Sequence, residues 1–155
     1  MPRILQNQTF EMINVLSRRG KFSQNEIQTE MQKIDELLRE KGAKQNGSVV
    51  TATFAVEPSG IMDIEILVPL NKVISAPYGY AFKPVFKLTN AVKIRHAGNP
   101  ALMQKSVDEL NDYIQANNLV PITAGYNIMV NEPANAQNLD NMIVEIYVGV
   151  SPNIL

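Results

Sequence analysis

The chain repeats itself, and a repeat constrains the architecture more than any single motif does. Phe10-Glu11-Met12-Ile13-Asn14-Val15-Leu16 matches Phe86-Lys87-Leu88-Thr89-Asn90-Ala91-Val92, with Phe, an apolar residue, Asn and a second apolar residue at alternate places. Ile34-Asp35-Glu36-Leu37 matches Val107-Asp108-Glu109-Leu110, and Phe54-Ala55-Val56-Glu57-Pro58 matches Met129-Val130-Asn131-Glu132-Pro133. Last, Met62-Asp63-Ile64-Glu65-Ile66-Leu67-Val68 matches Met142-Ile143-Val144-Glu145-Ile146-Tyr147-Val148. The four matches keep one order, at offsets of 76, 73, 75 and 80 residues, and the shifts fall where turns are expected. The copies are taken as residues 8–69 and 84–151, joined by a crossover loop over 70–83 that carries Pro-Tyr-Gly-Tyr.

Each copy reads as strand, helix, strand, strand. Phe86, Leu88, Val92 and Ile94 alternate with Lys87, Thr89, Lys93 and Arg95, the period of a half-buried strand. Ser23-Gln24-Asn25-Glu26 is a capping box, in which hydroxyl and carboxylate satisfy backbone donors that a first helical turn leaves unpaired. Behind it Ile27, Met31, Ile34, Leu37 and Leu38 form one apolar stripe that ends near Gly42. A second helix is expected to start at Asn99 with Pro100 in its first turn. It turns Met103, Val107, Leu110 and Ile114 inward and stops at Asn117-Asn118. Pro58-Ser59-Gly60 predicts a tight hairpin turn, and the amide-rich stretch from Glu132 to Asn141 predicts a longer, mobile one.

Neither unit can close a core alone, since one helix covers only one face of three strands. The expected fold is α+β: duplicated βαββ units forming one antiparallel sheet, with both helices on one face and a groove on the other. A length of 155 residues with 45% apolar content suits a single domain with a real core.

Composition excludes much chemistry. Charged residues are 19% of the chain, and 16 Asn and 9 Gln make much of the polar surface uncharged. A net charge of −1 offers no basic excess to attract a phosphate backbone, so no direct DNA binding is expected. The absence of Cys removes disulfides, thiolate metal sites and thiol nucleophiles together. With His96 the one histidine, a His-rich metal site is impossible, and His96 has no Asp or Ser pattern beside it to suggest catalysis. No Gly-rich phosphate loop opens a helix, and the Met residues read as core filling. Neither cofactor nor metal is expected. No apolar run is long enough for a signal peptide or a membrane span, which points to the cytoplasm.

Two carboxylates stand out. Glu65 and Glu145 occupy one place in the two copies, each inside an apolar strand. Alternation sends Ile64, Ile66 and Val68, and likewise Val144, Ile146 and Val148, toward the helices, so the Glu face looks to the uncovered side. An open antiparallel face often carries solvated charges. Glu145, however, lies between Ile143 and Tyr147, and a partly desolvated carboxylate beside aromatic faces would attract a lipophilic cation. Arg18-Arg19-Gly20-Lys21 reads as a short basic turn with solvated charges.

In this order and in these motifs the chain resembles the GyrI-like effector-binding domain, found in the gyrase inhibitory protein and at the C-terminus of multidrug-responsive transcription activators. The resemblance spans nearly the whole chain and rests chiefly on two stretches. One is the final strand Ile143-Val144-Glu145-Ile146-Tyr147-Val148; the other is Gly125-Tyr126-Asn127-Ile128 following Leu119-Val120-Pro121. It implies that Glu145 is the anionic contact for a cationic aromatic ligand, with Tyr126 and Tyr147 as walls and Tyr78 and Tyr80 as rim residues. The chain departs from the family in having no Trp and in carrying Gly149 where Pro is frequent. About seven residues precede the first strand, too few for a helix-turn-helix unit, so a stand-alone member is expected.

The reading that follows is a non-catalytic module for a small apolar or cationic ligand, with Glu145, Tyr147, Ile143, Tyr126, Glu65, Tyr78 and Tyr80 as site residues. A protein-interaction module like the gyrase inhibitory protein is the alternative, and a hydrolase using a pocket Glu is the third.

Overall fold

Ser23 starts the first helix as its motif requires. Its hydroxyl accepts the Glu26 N–H at 3.4 Å, and the Glu26 carboxylate accepts the Ser23 N–H at 2.9 Å. Gly42 ends the helix in the left-handed region at φ 67°, its N–H reaching the Arg39 carbonyl at 3.2 Å. The computed structural model describes residues 4–99, 102–131 and 143–152. Their elements run β1 (Ile4–Phe22), α1 (Gln24–Lys41), β2 (Val50–Val56), β3 (Met62–Pro69), β4 (Ala81–Ala97), α2 (Met103–Ala116), β5 (Leu119–Asn131) and β6 (Ile143–Pro152). The described strands pair antiparallel, and with the two helices they make an α+β fold.

The chain divides into two compact units, one from Glu11 to Phe86, the other from Lys87 onward together with the residues up to Phe10. Strands β1 and β4 therefore each contribute to both. In the Glu11–Phe86 unit, β3 lies between β1 and β2. Its Ile64, Ile66 and Val68 share a core with Ile34 and Leu38 of α1 and with Leu16 and Phe22 of β1. In the other unit, β6 lies between β4 and β5. There Val144, Ile146 and Val148 share a core with Leu110 and Ile114 of α2 and with Val92 and Ile94 of β4. Burial of one such Ile or Leu contributes about 1.5–3 kcal/mol, whereas a good N-cap contributes about 1 kcal/mol. Packing therefore outweighs capping, most clearly for α2, whose N-cap Leu102 makes no side-chain cap hydrogen bond.

Left-handed asparagines interrupt the long strands. Asn14 and Asn90 take φ values of 54° and 53°, the left-handed region that Asn tolerates better than other residues with a Cβ. Asn14 accepts the Leu70 N–H at 2.8 Å through its carbonyl, and the Asn90 amide donates to the Val150 carbonyl at 3.0 Å.

Some local expectations change. Helix α2 runs from Met103, with Asn99 ahead of it, its carbonyl accepting the Leu102 N–H at 3.0 Å; Pro100 lies outside the described residues. Arg18 to Lys21 form no turn; they continue β1, paired with Ile66, Glu65, Ile64 and Asp63. Strand β4 starts at Ala81, so Ala81, Phe82 and Lys83 belong to a strand and not to the crossover loop. The Pro58-Ser59-Gly60 turn forms, with Gly60 at φ 93° and its N–H 2.9 Å from the Glu57 carbonyl. The Glu132–Asn141 stretch lies outside the described residues.

Candidate functional site

Strand register places the side chains of interest. Glu145 stands opposite Arg95 on β4 and Ile128 on β5, and Tyr147 stands opposite Lys93 and Tyr126. Directly opposed residues share a sheet face, so these six side chains lie together on the side turned away from α2. Ile143 follows on the same face, two residues before Glu145, and is half-buried. Tyr126 and Tyr147 are each 8% exposed and Ile128 is 7% exposed. Phe10 leans on Tyr147, with ring centroids 5.2 Å apart.

The charge at the centre is already matched. The Glu145 carboxylate lies 3.0 Å from Lys93 Nζ and 3.5 Å from Arg95 Nη2, with only 14% of its side chain exposed. Lys93 Nζ also sits 5.7 Å from the centroid of the Tyr147 ring. Burial, and then the Glu145 charge, push the Tyr147 hydroxyl above its ordinary value, so the phenol is neutral through the physiological range.

The second carboxylate is held in the same manner inside the Glu11–Phe86 unit. Glu65 is 6% exposed and accepts hydrogen bonds from Ser17 Oγ and Lys83 Nζ, each at 2.6 Å. Lys83 Nζ is 5.7 Å from the Phe86 ring centroid. Arg19, opposite Glu65 in register, pairs with Asp63 and covers Phe54 at 3.8 Å.

The crossover tyrosines go elsewhere. Tyr78 is fully exposed at the tip of a turn. Tyr80 packs against the α1 core, its hydroxyl 3.5 Å from Glu30, with the Arg18 guanidinium 5.5 Å from its ring centroid. Arg18 pairs with Ile66 in register and so lies on the helix side, opposite Glu65. Neither tyrosine joins the Glu65 group.

His96 also faces a helix. It is 3% exposed, with Nε2 3.0 Å from the Asn99 carbonyl and Nδ1 2.8 Å from Ser106 Oγ. A carbonyl can only accept, so Nε2 carries a proton, while the Ser106 hydroxyl, which can donate or accept, bonds Nδ1. The pair ties the β4–α2 connection to α2. Gly149 has its own reason to be glycine: a Cβ there would lie 2.9 Å from Thr123 Cγ2, and its N–H donates to Thr123 Oγ1 at 2.9 Å. A proline at that position would lose the bond and meet the clash.

Register and alternation could have revealed Lys93, which the strand pattern already set on the polar face of β4. Which strand β4 would lie against was not readable. Among the described residues no group of three or more His, Asp or Glu could hold a metal ion, and no helix is long and apolar enough to cross a membrane.

The EcmrR chain in a cryo-EM structure of an EcmrR–DNA complex aligns with a TM-score of 0.78 at 16% identity, over 97% of this chain. The isolated EcmrR C-terminal domain aligns with a TM-score of 0.73 at 15% identity, over 95% of this chain and 98% of that domain. The fold is that of the EcmrR C-terminal domain. SAV2435, solved bound to tetraphenylphosphonium, aligns with a TM-score of 0.52 at 14% identity over 96% of this chain and 92% of that one. This chain spans 58% of the length of EcmrR in the DNA complex. No family model matches the sequence, and no curated protein does.

Proposed function

We propose that the chain binds a lipophilic small molecule on the β6 face, with Glu145 at the centre, Tyr126 and Tyr147 as walls and Ile143 at the margin. One observation carries the reading: a carboxylate with 14% of its side chain exposed sits among largely buried aromatic and aliphatic side chains, on the sheet face turned away from the helix. Ion pairs retained for stability alone are seldom placed this way, since apolar residues of similar volume serve as well or better. The resemblance to the effector-binding domains and the tetraphenylphosphonium held by SAV2435 support the same reading.

We further infer that the chain is a duplication and that Glu65 is the counterpart of Glu145. The left-handed Asn14 and Asn90 and the matching element order support this. With a net charge of −1, no contact to DNA is proposed. Hydrolysis is disfavoured because both carboxylates are engaged by lysine ammonium groups rather than placed to take a proton from water.

A thermal-shift screen of uncharged and cationic triaryl compounds tests the reading. A ligand at one hundred times its Kd stabilises the fold by about 2.7 kcal/mol. The shift should vanish in folded Tyr126→Ala and Tyr147→Ala variants; a shift that survives both places the ligand elsewhere.

A further inference from the structure

We propose that Lys93 is the resident counter-cation of Glu145 and makes the site select uncharged lipophilic ligands over lipophilic cations. This rests on the ligand-binding reading and adds the charge class of the ligand.

A poorly solvated carboxylate in aromatic surroundings attracts a cation twice, by its charge and through the ring faces. Lys93 supplies both from within the chain: its Nζ is 3.0 Å from Glu145 and 5.7 Å from the Tyr147 ring centroid. Only 18% of the Lys93 side chain is exposed, so the ammonium is not a solvated partner that departs at little cost. A cationic ligand approaching Glu145 would have to expel Lys93 and leave its ammonium without the carboxylate. Arg95, 3.5 Å from the same carboxylate, adds a second positive charge on that side. Both positive charges already stand at the carboxylate and oppose the approach of a third cation. An uncharged ligand packs on Tyr126, Tyr147 and Ile143 with the pair intact.

The device occurs twice. Lys83 Nζ is 2.6 Å from Glu65 and 5.7 Å from the Phe86 ring centroid, so the second carboxylate also has an ammonium and an aromatic ring assigned to it. The two lysines do not occupy matching places: Ser17, not Lys83, holds the register position that Lys93 holds beside Glu145, opposite Leu67 where Lys93 is opposite Tyr147. Different residues reaching one arrangement is better explained by a requirement for neutralised carboxylates than by inheritance of a single lysine.

Isothermal titration of the full chain with a shape-matched pair of probes tests the proposal. Methyltriphenylphosphonium is the cation, and triphenylphosphine oxide is its uncharged counterpart. Wild type should favour the oxide by at least tenfold. Lys93→Met should raise phosphonium affinity at least tenfold relative to the oxide in the same variant, and adding Glu145→Gln should abolish the gain. Lys93→Gln, which keeps a polar group at the position, should move the preference the same way and serves if the Met variant folds poorly. Wild type favouring the phosphonium, or both Lys93 variants binding it no better than wild type, overturns the selectivity claim while the binding reading stands. If no variant binds either probe, both fall.

Discussion

Breaking the Glu145–Lys93 pair should be costly one residue at a time, and removing both should cost less than the sum of the single losses. At 3.0 Å and an effective dielectric of about 20, opposite unit charges attract by roughly 5 kcal/mol. Desolvation offsets most of that attraction, but only while both charges are present. Glu145 keeps Arg95 at 3.5 Å after Lys93 is lost, so Lys93→Met should cost about 2 kcal/mol. Glu145→Gln leaves the largely buried Lys93 without its carboxylate and should cost about 3 kcal/mol. The double variant leaves only Arg95, which is 54% exposed in its side chain and can turn to water. Its loss should fall short of the summed single losses by about 2 kcal/mol. Urea unfolding read from the midpoint at constant m measures all three. Additivity within about 0.5 kcal/mol would refute the reasoning, because it would mean that the two charges do not depend on each other.

Other outcomes follow from single contacts. Ser23→Ala should destabilise by about 1 kcal/mol in the same urea experiment. The Ser23 N–H holds the Glu26 carboxyl below its ordinary value, so this stabilisation is present above the usual Glu range and lost as pH falls through the depressed value. Asn90→Ala should cost about 1–2 kcal/mol for its left-handed backbone plus the lost bond to Val150, whereas Asn90→Gly should recover most of the backbone part. Tyr147 ionises above its ordinary value when folded, chiefly through burial. Its contribution is therefore complete below the usual tyrosine range and is lost as pH rises through the raised value. Denaturation followed into the alkaline range should show this decline in wild type and a smaller one in Tyr147→Phe.

Local signals in the chain were legible where the physics is local. The capping box at Ser23 and the left-handed Gly42 bound α1 because both act through backbone groups within a few residues. Period-two alternation correctly sent Ile64, Ile66, Val144 and Ile146 toward the helices, since side-chain direction in a strand depends on parity alone. The partners of Glu65 and Glu145 were not legible. Ser17 and Lys83 lie 48 and 18 residues from Glu65 in sequence, and only the tertiary fold brings them to it. The basic run at Arg18 misled for a related reason: Gly20 beside charged residues resembles a turn, yet each of these residues has a partner on β3. Helix α2 has no capping side chain at Leu102, which leaves the packing of Leu110 and Ile114 to set where it lies.

Amide and methyl NMR shifts mapped during titration with triphenylphosphine oxide test the central claim most directly. The account predicts that the largest changes fall on Tyr126, Ile128, Ile143, Glu145 and Tyr147, and that Tyr147→Ala removes them. Changes confined to the Tyr78 turn or to α1, with these five residues unmoved, would contradict it.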